Sequence, residues 1–205
     1  MTTQKTIMDI SLFGGHPSLD FVNTVDSRGE RWGPDFLNSY DDLVAWARRL
    51  AVIDDKEGGT LLSRAHQSPI EAERELAKAK ELREALCRLF LSEVDESQFS
   101  HEDLDLVGKM ARDVHSRQSL ERVAGKITWR GADAKELEAI RDRVAKSAAE
   151  LLTSRDGRRP VRQCQGPNCG WLFLDRSRGG HRQWCSDKTC GSHARVRRFR
   201  ATQAD

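Results

Sequence analysis

Long apolar runs are missing from this chain. In 205 residues no window approaches the roughly 20 consecutive apolar residues that cross a bilayer. No apolar run follows a basic start, so no secretory leader is expected. Cysteine is almost absent from the first three quarters, where Cys87 stands alone beside Leu86 and reads as a core thiol. A secreted disulfide scaffold would spread its cysteines, so a soluble cytoplasmic protein is expected. No glycine spacing suits a phosphate loop, and no nucleophile motif accompanies a His/Asp pair, so an enzyme is not expected. Lysine is nearly missing from the C-terminal quarter, where Lys188 is the only one.

What that quarter holds instead is arginine. Residues 155–205 carry 12 Lys or Arg against 4 Asp or Glu, whereas residues 1–154 carry 22 against 28. The net charge of +2 therefore conceals a mildly acidic body and a basic tail. Arginine is favoured where planar, bidentate contact to phosphate or base edges is needed. Such an asymmetry points to a polyanionic partner for the basic part.

The remaining four cysteines lie in the same tail. Cys164 and Cys169 form one C-x4-C pair, Cys185 and Cys190 another, with fifteen residues between the pairs. Zinc holds thiolates at about 2.3 Å, so four sulfurs must converge within roughly 4 Å. Two hooks joined by a spacer of this length suit one tetrahedral ion, and four sulfurs close its coordination sphere, as in a structural site. A redox dithiol switch or disulfides would use the same residues.

Along the body, Ile10 to Phe13 reads as a strand ending at Gly14-Gly15. A helix capped by Ser18 is expected through Leu19, Phe21, Val22 and Val25, then a loop over 26–38. Ser39 with Asp42 resembles a capping box before Leu43, Trp46, Ala47 and Leu50. A helix over 60–66 follows. Ser68, Pro69 and Glu71 open a long helix through Leu76, Leu82, Leu86 and Phe90 to about Val94. Ser100 and Asp103 start the next, with Leu104, Val107, Met110 and Val114 on one face. Residues 120–124 and 126–130 read as a hairpin turning at Gly125. Asp133 opens a last helix through Leu137, Ile140, Val144 and Leu151. Trp46 and Trp129 are expected in the core. Residues 154–159 read as a linker, dividing the chain into 1–154 and 155–205. The fold class expected is α+β: a helix-rich N-terminal domain with a few short strands, and a small C-terminal treble-clef zinc module.

Residues 160–205 are too few for an apolar core of their own, and zinc binding would supply the missing free energy. A knuckle is expected over Cys164–Cys169, a strand over 171–174, a turn at Arg178-Gly179-Gly180 and a return strand over 182–184. Ser186 then caps a helix containing Cys190. Val196 and Phe199 are expected to pack on the knuckle. Asp175 reads as a cap or as an arginine partner. Lys188, His193, Arg195, Arg197, Arg198 and Arg200 form a basic face suited to phosphates or a major groove. Duplex DNA is the first partner this suggests. RNA, with Trp171 or Trp184 stacking on a base, is the second. A protein-binding clip shaped by zinc is a third, and arginines that only neutralise the thiolate-bound ion are the bland reading. In the body, His16, Asp20 and Asn23 cluster after a glycine pair. They read either as a pocket for a small-molecule effector or as turn and cap chemistry.

Two stretches resemble known families. Cys164-x4-Cys169-Gly170-x-Leu172-Phe173-Leu174-Asp175-x-Ser177-Arg178, followed by Trp184-Cys185-Ser186-x3-Cys190-Gly191, resembles the CGNR zinc finger. The opening Gly14-Gly15-His16-Pro17-Ser18-Leu19-Asp20-Phe21-Val22-Asn23-Thr24 resembles the start of the ABATE domain that usually precedes this finger. The resemblance implies a bacterial, stress-related transcription regulator with a helix-rich α/β N-terminal domain. It departs at the motif that names the finger: Ser192-His193 stand where the family has Asn-Arg. His193 is charged only in part near neutral pH, so a contact made by the family's arginine is in doubt. His193 also reads as a fifth candidate ligand.

Overall fold

Capping side chains set most of the helix starts. The computed structural model describes residues 5–130 and 136–203. Helix α2 (Tyr40–Arg49) begins at the Ser39/Asp42 box, in which each side chain accepts from the other residue's backbone N–H. Helix α3 (Asp55–Gln67) begins at a second box, Asp54/Glu57. It starts well before the expected residue 60, because the box outweighs the helix-weakening Gly58-Gly59 pair. Helix α4 (Pro69–Asp95) starts at Pro69 as read. Ser68 makes no side-chain cap, however, and its N–H closes the end of α3 on Arg64. Helix α5 (His101–Ser116) is capped by Ser100, whose Oγ accepts from Asp103 N. Helix α6 covers Ala139–Thr153, and the start expected at Asp133 lies outside the described residues.

The short helix α1 (Pro17–Val22) is capped by His16 rather than Ser18. No strand forms over Ile10–Phe13. Gly14 N–H is drawn to Asp20 Oδ1 (2.8 Å), which leaves only the Gly14 carbonyl to meet Leu174 N (2.9 Å). Among the described residues that is the segment's one backbone bond to β4, and a ladder needs a run of them.

Strands β1 (Ser119–Val123) and β2 (Lys126–Arg130) make the expected hairpin. Ala124 and Gly125 both have positive φ (49° and 81°), the two-residue turn whose twist matches the flanking strands. Trp129 is not in the core. It is 58 % exposed, as Leu120 and Ile127 are largely exposed beside it. The ribbon packs chiefly on itself, and among the described elements no helix covers its apolar face. Leu104 is likewise exposed, at the edge of the α5 stripe that buries Val107, Met110 and Val114.

The core joins α1, α2 and the long α4 with α6. Trp46 is fully buried against Phe21, ring centroids 5.0 Å apart. Leu43, Leu61, Leu82, Leu86, Leu89, Phe90, Ile140 and Val144 complete it. The same cluster includes Val161, Leu172 and Leu174 from the C-terminal segment. The stretch read as a linker is tied down: Arg158 donates to Glu93 Oε2 (2.5 Å) and to the Leu151 carbonyl (2.8 Å).

Strands β3 (Val161–Gln163) and β4 (Leu172–Leu174) pair antiparallel across the first cysteine pair. The hairpin of this module therefore encloses the Cys164–Cys169 knuckle. The return strand expected over 182–184 is absent: β3 pairs with one edge of β4, and Gly14 and Asn23 take the other. Cys190 sits in a π-helical turn, Asp187–Gly191, which runs into α7 (Ser192–Thr202). Knuckle, strand and helix follow in the treble-clef order. Among the described residues, no helix is long and apolar enough to cross a membrane.

Candidate metal centre and basic helix

The knuckle and the π-helical turn bring four sulfurs together. The Sγ atoms of Cys164, Cys169, Cys185 and Cys190 all lie within 4.8 Å of one another. Cys185 Sγ is 3.7 Å from both Cys169 Sγ and Cys190 Sγ. Four sulfurs around an ion at about 2.3 Å would be separated by about 3.8 Å, so the set fits tetrahedral zinc. Backbone donors favour thiolate at Cys164: Gly166 N lies 3.4 Å and Cys185 N 3.2 Å from its Sγ. Hydrogen bonds from the Cys169 and Cys185 thiols, and then these amides, hold Cys164 far below the usual thiol range. The same contacts with Cys164 push Cys169 and Cys185 up, and burial pushes Cys190 up. A divalent ion removes that conflict by taking all four as thiolates. The chemistry is that of one structural zinc, held by the four cysteines the spacing named.

Both hooks are braced by residues that the cysteine spacing does not reveal. Arg182 lies over the Phe173 ring (4.4 Å) and donates to the carbonyls of Trp184 (2.7 Å) and Cys185, fixing the approach to the second pair. Asp175, fully buried, accepts from Ser177 N and Oγ and from Arg182 N, which is the capping role expected of it. Around the sulfurs, Trp171 and Phe173 pack with Phe13. These rings fill the apolar face of the knuckle. Val196 and Phe199, expected there, are 46 % and 62 % exposed.

The residues His16, Asp20 and Asn23 are brought together, chiefly as a socket for the module. Asn23 Nδ2 donates to the Leu172 carbonyl (2.8 Å) and Asn23 Oδ1 accepts from Leu172 N (2.9 Å). Asp20 is buried and holds Gly14, and His16 Nδ1 accepts from Ser18 N (3.3 Å). Burial pushes Asp20 up to about 6, against the opposing pull of the Gly14 N–H. Burial also lowers His16. The side chains of Asp20 and Asn23 are committed to backbone. A surface cleft of about 280 Å³ lies elsewhere, between α5 and α6, beside Val114, Arg117, Asp142 and Lys146.

Helix α7 has no buried residue and, among the described elements, rests chiefly on the turn before it. Arg195 is paired to Asp187 (2.8 Å). Lys188, His193, Arg197, Arg198 and Arg200 are exposed, and none makes an ion pair or side-chain hydrogen bond among the described residues. The basic face is therefore present, with one of its six members already engaged.

A closed four-cysteine centre at the start of a basic helix defines a zinc-finger protein. Residues 161–203 match the CGNR zinc finger. Residues 15–155 match the ABATE family, described as "Putative stress-induced transcription regulator", and the chain belongs to that family. No curated protein matches it.

Proposed function

We propose that this protein is a transcription regulator that binds duplex DNA through α7 and the adjoining π-helical turn, with the helical body holding the zinc module in place. The observation that carries this reading is the state of Arg197, Arg198 and Arg200. They stand on a helix with no buried face, beside a metal centre that needs no more ligands. Neutralising the thiolate-bound ion does not occupy them, because among the described residues none has an ion-pair or side-chain hydrogen-bond partner. A helix of this width fits the major groove, and guanidinium groups suit phosphate and guanine edges.

The test is binding of the zinc-loaded protein to random-sequence duplexes at several salt concentrations. Log affinity is expected to fall with log salt by about 0.9 per phosphate neutralised. Arg197→Ala, Arg198→Ala and Arg200→Ala should each weaken binding and flatten that slope by about one unit. Affinity indifferent to all three overturns the assignment. Structured RNA that outcompetes duplex DNA moves it to RNA.

A further inference from the structure

The first cysteine hook is held from outside its own module. Loop 25–35 folds over it, bridged at Val25–Asp35 and Arg28–Trp32. Arg28 N donates to the Cys169 carbonyl (2.8 Å), and Gly29 N donates to the Asn168 carbonyl (3.3 Å). The Asn168 side chain completes the contact. Its Oδ1 accepts from Arg31 N (2.6 Å), and its Nδ2 donates to Ser27 Oγ (3.1 Å) and to the Arg31 carbonyl (2.8 Å). Three residues on, Trp171 Nε1 donates to the Val25 carbonyl (2.8 Å). The loop is itself anchored to the body. The Arg28 guanidinium, 5 % exposed, forms a bidentate pair with Glu84 on α4 (2.7 and 3.1 Å) and donates to the Val22 carbonyl. The second hook is held chiefly from within the module, by Arg182 and the π-helical turn.

We propose that loop 25–35 belongs to the zinc-binding apparatus, and that Asn168 is the positioning residue through which the helical body presets the Cys164–Cys169 hook. Residues that orient metal ligands without touching the ion govern how firmly it is held. Asn168 precedes Cys169 directly, so fixing its side chain and carbonyl fixes the direction in which the Cys169 sulfur points. The ion then meets one hook already set, and only the Cys185–Cys190 hook has to close on it. Zinc retention in this protein is thus a property of the body as well as of the finger.

Asn168 has φ 60°, a left-handed conformation that glycine also adopts. Asn168→Gly therefore removes the side-chain contacts without adding backbone strain. Gly29→Ala approaches from the body side: a Cβ there would lie 2.5 Å from Asn168 Cα, forcing the loop off the knuckle while leaving the finger's own sequence untouched. The experiment loads the full chain with zinc and measures its release to excess chromogenic chelator, with Leu61→Val in the α3 core as a control for general destabilisation. Both loop-contact variants are expected to release zinc about tenfold faster or more. The control should stay close to the wild-type rate. Wild-type release from Asn168→Gly overturns the proposal, as does a control that releases zinc as fast as the two variants. If Gly29→Ala does not fold, Asn168→Gly and the control still decide.

Discussion

Asn23 and Leu172 stand 149 residues apart and exchange two hydrogen bonds, so that one asparagine side chain takes the place of a strand neighbour for β4. Both groups are buried, and neither backbone atom of Leu172 has water to turn to. Asn23→Ala strands a buried N–H and C=O together. The expected loss is about 2–3 kcal/mol of stability, from roughly 1–3 kcal/mol per unsatisfied group. Chemical denaturation of the zinc-loaded protein measures it, and a change below about 0.5 kcal/mol, the size of an ordinary surface substitution, would show that the pairing is dispensable.

Removing zinc should be felt beyond the finger. Cys185→Ser leaves an open coordination site and forfeits folding free energy of order 10 kcal/mol seen in small zinc peptides. Val161, Leu172 and Leu174 lie in the same cluster as Leu86 and Ile140. The variant is therefore expected to lose amide-exchange protection over 161–191 and over loop 25–35, to keep α2, α3 and α6 protected, and to melt at a lower temperature throughout. Protection unchanged in 25–35 would mean that the body ignores the state of the metal centre.

The hairpin offers an opposite expectation. Ile127 and Trp129 look like core residues by composition, yet both are exposed. Ile127→Thr and Trp129→Thr keep strand-forming character and give up little buried area. Each should shift stability by no more than about 0.5 kcal/mol in thermal melts. A loss of several kcal/mol would show the ribbon packed in solution.

That contrast marks what the residue pattern could convey. The four ligands, the Ser39 and Ser100 caps, the long α4 and the turn at Gly125 follow from local spacing, and local spacing is legible in a chain. Period-two alternation at Leu120–Arg130 announced a strand pair, but alternation does not say whether anything lies against it. The strand expected at Ile10–Phe13 finds no run of partners, because Gly14 and Asn23 meet the second edge of β4 instead, an outcome decided by tertiary placement. Asn168 and Arg28 carry no local signal for the same reason. An asparagine before a cysteine and an arginine in a loop acquire their roles only when segments more than 130 residues apart meet.

Two carboxylates give the protein opposite responses to acid. Burial alone would raise Asp35, but the Arg83 hydrogen bonds (2.7 and 2.9 Å) and charge overrule it and bring the group to about 2. Unfolded, it would titrate near the ordinary 3.8. Between those values the unfolded chain binds more protons, so the contribution of Asp35 is complete above 3.8 and is lost as pH falls toward 2. Asp20 has the reverse sign. Its folded carboxyl, raised by burial to about 6, holds a proton that the unfolded chain has released, so its contribution declines as pH rises from 3.8 to about 6. Asp35→Asn should therefore flatten the melting-temperature profile on the acid side of that ordinary value. Asp20→Asn, which keeps an acceptor for Gly14 N–H, should flatten it on the other side and raise stability at neutral pH. Melts recorded at successive pH values separate the two, and an Asp20→Asn profile parallel to wild type between those limits would mean that the buried carboxyl stays ionised at little cost.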